Sequence, residues 1–164
     1  MDVSDKSGYT PLRFAVECNH SKLIELLLES GADPTKQSTD GVTDVGIAFQ
    51  TGNLDAAKIF AANRIQFGDG DEASNLIVDQ AKDGHTEMIE LLLECGVSVD
   101  CENDFGWTPL HWATVKNHVN VVELLLNRKA KVDNMGGIGC TALHEVISID
   151  VPLLISSFAI IMYP

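Results

Sequence analysis

Basic residues are scarce in this chain: 11 Lys and Arg stand against 24 Asp and Glu, a net charge of −13 over 164 residues. A surface of that sign repels nucleic acid and anionic membranes, so neither is an expected partner, whereas a basic segment of another protein would be drawn to it. Long apolar runs are missing too. The stretch VPLLISSFAIIMYP, residues 151–164, is 14 residues long, short of the roughly 20 that a membrane-spanning helix needs. It also carries no Lys or Arg to hold it at a lipid surface. The four cysteines, Cys18, Cys95, Cys101 and Cys140, form no CxxC pair, which points to free thiols rather than a disulfide framework. The opening MDVSDKSGYT has neither the basic nor the apolar region of a secretory signal. An intracellular protein, cytoplasmic or nuclear, is therefore expected, and the sequon at Asn19 carries no weight.

What is present is an ordinary globular composition, 45% hydrophobic and 21% charged, in a chain long enough to bury about two-thirds of its unfolded surface. The sequence also repeats itself. DKSGYTPLRFAVECNHSKLIELLLESGADP, residues 5–34, aligns with NDFGWTPLHWATVKNHVNVVELLLNRKAKV, residues 103–132, at a shift of 98. Between them, Gly41 and Thr43 follow Gly8 and Thr10 by 33, and IELLLECG (89–96) repeats IELLLESG (24–31) at a shift of 65. A fifth copy starts near Gly139 with Thr141, Ala142, Leu143 and His144.

Each copy has the makings of two helices. Thr10 and Thr108 are placed to cap the first, with Pro11 and Pro109 at the first helical position, where a missing N–H costs nothing. Where that helix must stop and reverse, the copies have Asn19, Gly52, Gly84 and Asn117, residues that tolerate a left-handed backbone. A second helix follows, apolar over most of its surface in Leu23, Ile24, Leu26, Leu27 and Leu28. One copy cannot bury such a helix alone, so the copies must stack. Gly31 and Gly96 are placed to end two of these second helices.

A period of 33 with TPLH, a Gly or Asn turn and a leucine run resembles the ankyrin repeat, and the resemblance covers essentially the whole chain. It is carried by TPLHWA in the fourth copy and TPLRFA in the first; the second (TDVGIA) and third (NLIVDQ) are degenerate. The resemblance implies an all-α solenoid of stacked helix-turn-helix units with finger-like hairpin loops. A single domain of residues 1–164 would then hold five repeats near 5–37, 38–69, 70–102, 103–135 and 136–164. It further implies that His111 and His144, the His of TPLH, hydrogen-bond structurally between repeats.

Readings that would make the chain an enzyme or a metal protein fail on their own terms. Asp104-Phe105-Gly106 spells a kinase metal-binding signature, but the glycine-rich loop, strand lysine and catalytic loop that must accompany it are missing. A calcium loop starting at Asp69 needs glycine sixth and glutamate twelfth, where Ser74 and Gln80 stand. The GGIG of residues 136–139 is followed by no phosphate-binding lysine. No spacing supports a Cys/His nucleophile pair. No catalytic residue, metal or cofactor is expected, and the chain is read as a non-enzymatic protein-binding module, an adaptor, scaffold or inhibitor. Other readings are the recognition portion of a larger protein and an enzyme of unrecognised kind.

The resemblance places the partner in the groove formed by finger tips and the exposed side of the first helices. Tyr9 of the first copy and Asp40 of the second fall there. The third copy contributes Asp71, Glu72, Lys82 and Asp83, the fourth Asp104, Phe105, Trp107 and Lys116, and the fifth Ile138. Phe105, Trp107 and Ile138 are large apolar groups that the fold does not need, of the type that dominates interface energetics. The acids Asp40, Asp71, Glu72, Asp83 and Asp104 suggest a basic segment with an apolar anchor. Trp112, inside the first helix, is expected in the core. Arg13, in place of the TPLH His, is expected with Glu17, Lys22, Glu25 and Glu29 to make the outer face of the first copy polar in part. The fifth copy has no such face, since Leu153, Ser156 and Ile160 stand where earlier second helices are polar; a lost remainder of the array, a subunit interface or a lipid surface would each account for it.

Overall fold

The computed structural model describes residues 5, 8–68, 70–137, 139 and 141–142. Among them the helices come in pairs: α1 (Pro11–Glu17) with α2 (Ser21–Glu29), α3 (Asp44–Gln50) with α4 (Leu54–Ala62), α5 (Asp71–Asp83) with α6 (Thr86–Glu94), and α7 (Pro109–Val115) with α8 (Val119–Asn127). First helices pack on first helices of the next pair, and second on second, giving a two-layered solenoid. The only β pairing among the described residues is an isolated bridge, Met135 to Thr141. The helices expected from Leu143 onward, with His144 and the 151–164 tail, lie outside the described residues.

The caps form as the residue types require. The hydroxyls of Thr10, Thr43 and Thr108 accept the backbone N–H groups of Arg13, Gly46 and His111 at the starts of α1, α3 and α7. All four reversal residues take the left-handed backbone, with φ of 54° at Asn19, 71° at Gly52, 81° at Gly84 and 58° at Asn117. The second helices end on the same device: Gly31 and Gly96 have φ of 86° and 84°, while Arg64 and Lys129 adopt 54° and 69° at the matching places. These two side chains carry the strain that glycine avoids.

The core runs the length of the stack between the two layers. Leu12, Val45, Ile77 and Leu110 of the first helices, and Ile24, Ala57, Ile89 and Val122 of the second, are at most 1% exposed. Each fully buried aliphatic side chain contributes about 1.5–3 kcal/mol against chain entropy.

Polar side chains tie each copy to the one before it. Asn53 donates its amide to Val16 O at 2.7 Å. The ring Nε2 of His118 donates to Lys82 O at 3.0 Å. In the third copy the link is relayed, because His85 Nδ1 holds Gln80 Oε1 at 2.9 Å and Gln80 Nε2 donates to Phe49 O at 3.3 Å. Gln80 is buried at a place where the other copies have Ala15, Ala48 and Ala113.

The third copy departs from expectation. Asp71 and Glu72 stand at the finger positions of the repeat, but α5 starts at Asp71 and runs 13 residues, against 7 for α1, α3 and α7. One period before Gly106 stands Ala73, whereas the finger glycines Gly8, Gly41 and Gly106 have φ of 79°, 78° and 73°. Without a residue suited to that turn, and with Asp71 and Glu72 favouring a helix N-terminus, the segment coils instead. The finger row is interrupted as a result. Gly8 lies against the backbone of Ser38 and Thr39, and Gly106 against Gly137, but nothing lies within 4 Å of where a side chain on Gly41 would begin. A cleft of about 410 Å³ occupies this gap, bordered by Gly41, Phe67, Asp71 and Glu72.

The first copy also differs from its expected form. Arg13 is 3% exposed rather than facing solvent. Its guanidinium reaches the second finger, to Ser38 Oγ at 2.7 Å and Asp40 Oδ2 at 3.2 Å, with Glu17 at 3.2 Å and the Tyr9 ring at 4.3 Å. Leu23 and Leu26 of α2 are 42% and 58% exposed beside exposed Lys22, Glu25 and Glu29, so the outer face of this copy is polar only in part.

Candidate protein-binding groove

The groove residues fall into two sets, those the fold has already engaged and those it leaves free. Asp40 and Glu72 belong to the first. Asp40 is paired with Arg13 and accepts a hydrogen bond from Ser38 Oγ, and these partners lower its pKa to about 2. Glu72 is half-buried, and its Oε1 accepts the Thr43 backbone N–H at 3.0 Å. In the fourth copy the corresponding N–H, that of Thr108, is accepted by His111 Nδ1 at 3.3 Å. The second copy has Gly46 where that His would be, and Glu72 occupies the freed space: a Cβ on Gly46 would lie 1.8 Å from Glu72 Oε1. Glu72 is therefore a substitute for the missing ring. Burial raises its pKa, against the lowering effect of the Thr43 N–H. Nδ1 of His111 also meets the Thr108 hydroxyl, at 2.8 Å within its own copy.

Tyr9 is half engaged, its ring 5.6 Å from Phe14 and under Arg13. The same two positions three copies on hold Trp107 and Trp112, with ring centroids 5.1 Å apart. Trp112 is not in the core. Leu110, His111, Ala113 and Thr114 bury one face of α7, which turns residue 112 away from it, and Trp112 is only partly buried, while Phe14 at the matching place is 55% exposed. Trp107 also meets the His111 ring edge-on at 5.6 Å.

The finger before α7 is a turn built on Asn103, whose Oδ1 accepts the N–H groups of Phe105 and Trp107 at 3.1 and 3.0 Å. This is the part Asp104-Phe105-Gly106 plays. It leaves Phe105 76% exposed and Asp104 at the tip. Asp71 and Asp83 are exposed at the two ends of α5, and Lys116 follows α7 as its cap residue. Ile138 and Cys140 lie outside the described residues. Two contributors were undervalued in the sequence: Trp112, assigned to the core, and Lys82, whose ammonium lies 5.3 Å from the Trp112 ring.

Cys18, Cys95 and Cys101 are free thiols, and burial pushes that of Cys95 up to about 11, which leaves it protonated and inert near neutrality. Among the described residues no group of His, Cys, Asp and Glu is arranged to hold a metal ion, and no helix is long and apolar enough to cross a membrane.

With two-layer stacking, left-handed turns and finger turns in place, the comparisons with known proteins agree. The family description "Ankyrin repeat" matches residues 7–39, and "Ankyrin repeats (3 copies)" matches residues 77–150. The chain belongs to the ankyrin repeat family. The unmatched stretch between them holds the second copy and the start of the third, where Gly46 replaces the motif His and the finger is lost. Ankyrin repeat protein FPV244 of fowlpox virus (strain NVSL) is 30% identical over 69% of this chain and 17% of its own length. The palmitoyltransferase AKR1 of Lachancea kluyveri is 28% identical over 71% of this chain and 17% of its own length. The chain thus spans less than a fifth of either relative. A solved ankyrin repeat domain from Acinetobacter baumannii superposes with a TM-score of 0.80 at 23% identity, covering 98% of this chain and 85% of that one. Ankyrin repeats are in general protein-interaction modules, and the fold here is an all-α ankyrin solenoid.

Proposed function

We propose that this chain is a non-enzymatic protein-interaction module, an adaptor, scaffold or inhibitor, that holds its partner in the groove between the finger tips and the exposed side of the first helices. What supports the reading is the exposure of Phe105 beside the Trp107 and Trp112 pair. Three large aromatic groups are kept at one end of the groove, where they contribute little to the core. The basic partner segment suggested by the net charge narrows to Asp71, Asp83 and Asp104, since Asp40 and Glu72 serve the fold. Lys82 and Lys116 divide that acidic run.

The test is capture of partners from cell lysate by the intact chain and by the Phe105→Ala, Trp107→Ala double variant. A protein held by the first and lost by the second supports groove binding; identical capture by both would refute it. A second reading, that the repeats are the recognition portion of a larger protein, draws on the exposed Leu23 and Leu26 of α2. That face has the character of a surface on which another repeat stacks.

A further inference from the structure

Two lysines bear on the aromatic end of the groove, between the exposed acids of the acidic run. Lys82 Nζ and Lys116 Nζ lie 5.3 and 6.0 Å from the centre of the Trp112 ring, reaching it from α5 and from the end of α7. Neither lysine is within ion-pair distance of a carboxylate among the described residues, where Arg13, Lys58 and Arg128 alone of the basic side chains are. Two ammonium groups and an apolar platform of Trp107 and Trp112 therefore converge on one patch, with exposed Phe105 on the adjoining finger.

We propose that this patch docks an acidic, apolar peptide segment of the partner. The segment lays an aliphatic or aromatic side chain on the Trp107 and Trp112 rings and sets a neighbouring carboxylate between Lys82 and Lys116. Both lysines are exposed and bear on the ring from neighbouring repeats, so a carboxylate between them gains two charge-assisted contacts beside a low-dielectric surface. The inference rests on the groove reading and adds the chemistry of its anchor, two ammonium groups beside an aromatic platform.

The chain's only two tryptophans are the two in this patch, so intrinsic fluorescence reports on it alone. The probes are the blocked pentapeptide Glu-Leu-Glu-Leu-Glu and its counterpart Lys-Leu-Lys-Leu-Lys, titrated into the intact chain at low salt. The acidic peptide is expected to give a saturable change in tryptophan emission, weakened about tenfold or more in a Lys82→Glu, Lys116→Glu variant and less in Lys82→Gln, Lys116→Gln. Circular dichroism checks that both variants fold. A lysine peptide that equals or exceeds the acidic one, an acidic peptide without effect, or one indifferent to the charge reversal would overturn the proposal. Including the charge-reversed variant in the lysate capture separates the two ideas. If it keeps a partner that Phe105→Ala, Trp107→Ala loses, groove binding stands and the anionic anchor falls; if neither variant loses it, both fall.

Discussion

Glu72 accepts the backbone N–H of Thr43 at 3.0 Å, across the boundary between the second and third repeats and through the space left by Gly46. A motif that has lost its histidine in one repeat is completed by a carboxylate from the next. The two residues are consequently coupled, and a double-mutant cycle measures it. Gly46→Ala drives the carboxylate away and leaves the Thr43 N–H unpaired, at a cost of about 1–3 kcal/mol, which offsets the roughly 1 kcal/mol that alanine gains in a helix. In a Glu72→Ala background the same substitution should be stabilising, since there is nothing left to displace. Urea unfolding of the four proteins is expected to give a clear coupling energy; additive effects would mean that the contact has no energetic role.

Two acids near this boundary are expected to respond to pH in opposite directions. Glu72 titrates above the usual carboxylate range because burial disfavours its charge. Its contribution is fully present below the ordinary carboxylate pKa and is lost as pH rises through the higher folded value. Glu72→Gln should therefore raise Tm at pH 7 while making little difference at pH 3. Asp40, held at about 2 by Ser38 and Arg13, contributes stability above its ordinary pKa of 3.8 that is lost as pH falls toward 2. Asp40→Asn should lower Tm at pH 7 and flatten the acid limb between 4 and 2. Melting curves from pH 2 to 7 check both.

Arg64 and Lys129 occupy left-handed positions that Gly31 and Gly96 fill in the other repeats. Arg64→Gly and Lys129→Gly should each stabilise by about 0.5–1 kcal/mol, the relief of strain exceeding the added chain entropy of glycine. Gly31→Ala, with nothing within 4 Å of its new methyl group, should destabilise by about 1–2 kcal/mol through conformation alone. Chemical denaturation reads all three.

Gln80 bridges the second and third repeats through Phe49 O and His85. Gln80→Leu leaves the Phe49 carbonyl without that donor and should cost about 1–3 kcal/mol. The loss should be local, with native-state hydrogen exchange quickening in α5 and α6 before α8; uniform acceleration would show instead that the stack opens as one unit.

How far the sequence revealed this structure depended on whether the information was local. Thr108 followed by Pro109 marks a helix start, and Asn117 must be left-handed where a helix reverses, so both were legible from residue type and spacing. The long α5 was announced by Ala73, at a place that needs a finger glycine, but the signal was an absence and the acids beside it looked like a solvated loop. Asp40 and Glu72 were read as free because their partners, Arg13 and Thr43, lie 27 and 29 residues away and meet them only once the repeats stack. Trp112 was misplaced because its residue type suggests a core, whereas the buried face of α7 passes through Leu110, Ala113 and Thr114.

Amide hydrogen exchange of the chain with and without a captured partner would locate the bound surface. Groove binding predicts new protection in the finger at 103–107, in α7 and at the end of α5, with α2 unchanged. Protection confined to α2, around Leu23 and Leu26, would contradict it and assign the partner to the end of the stack.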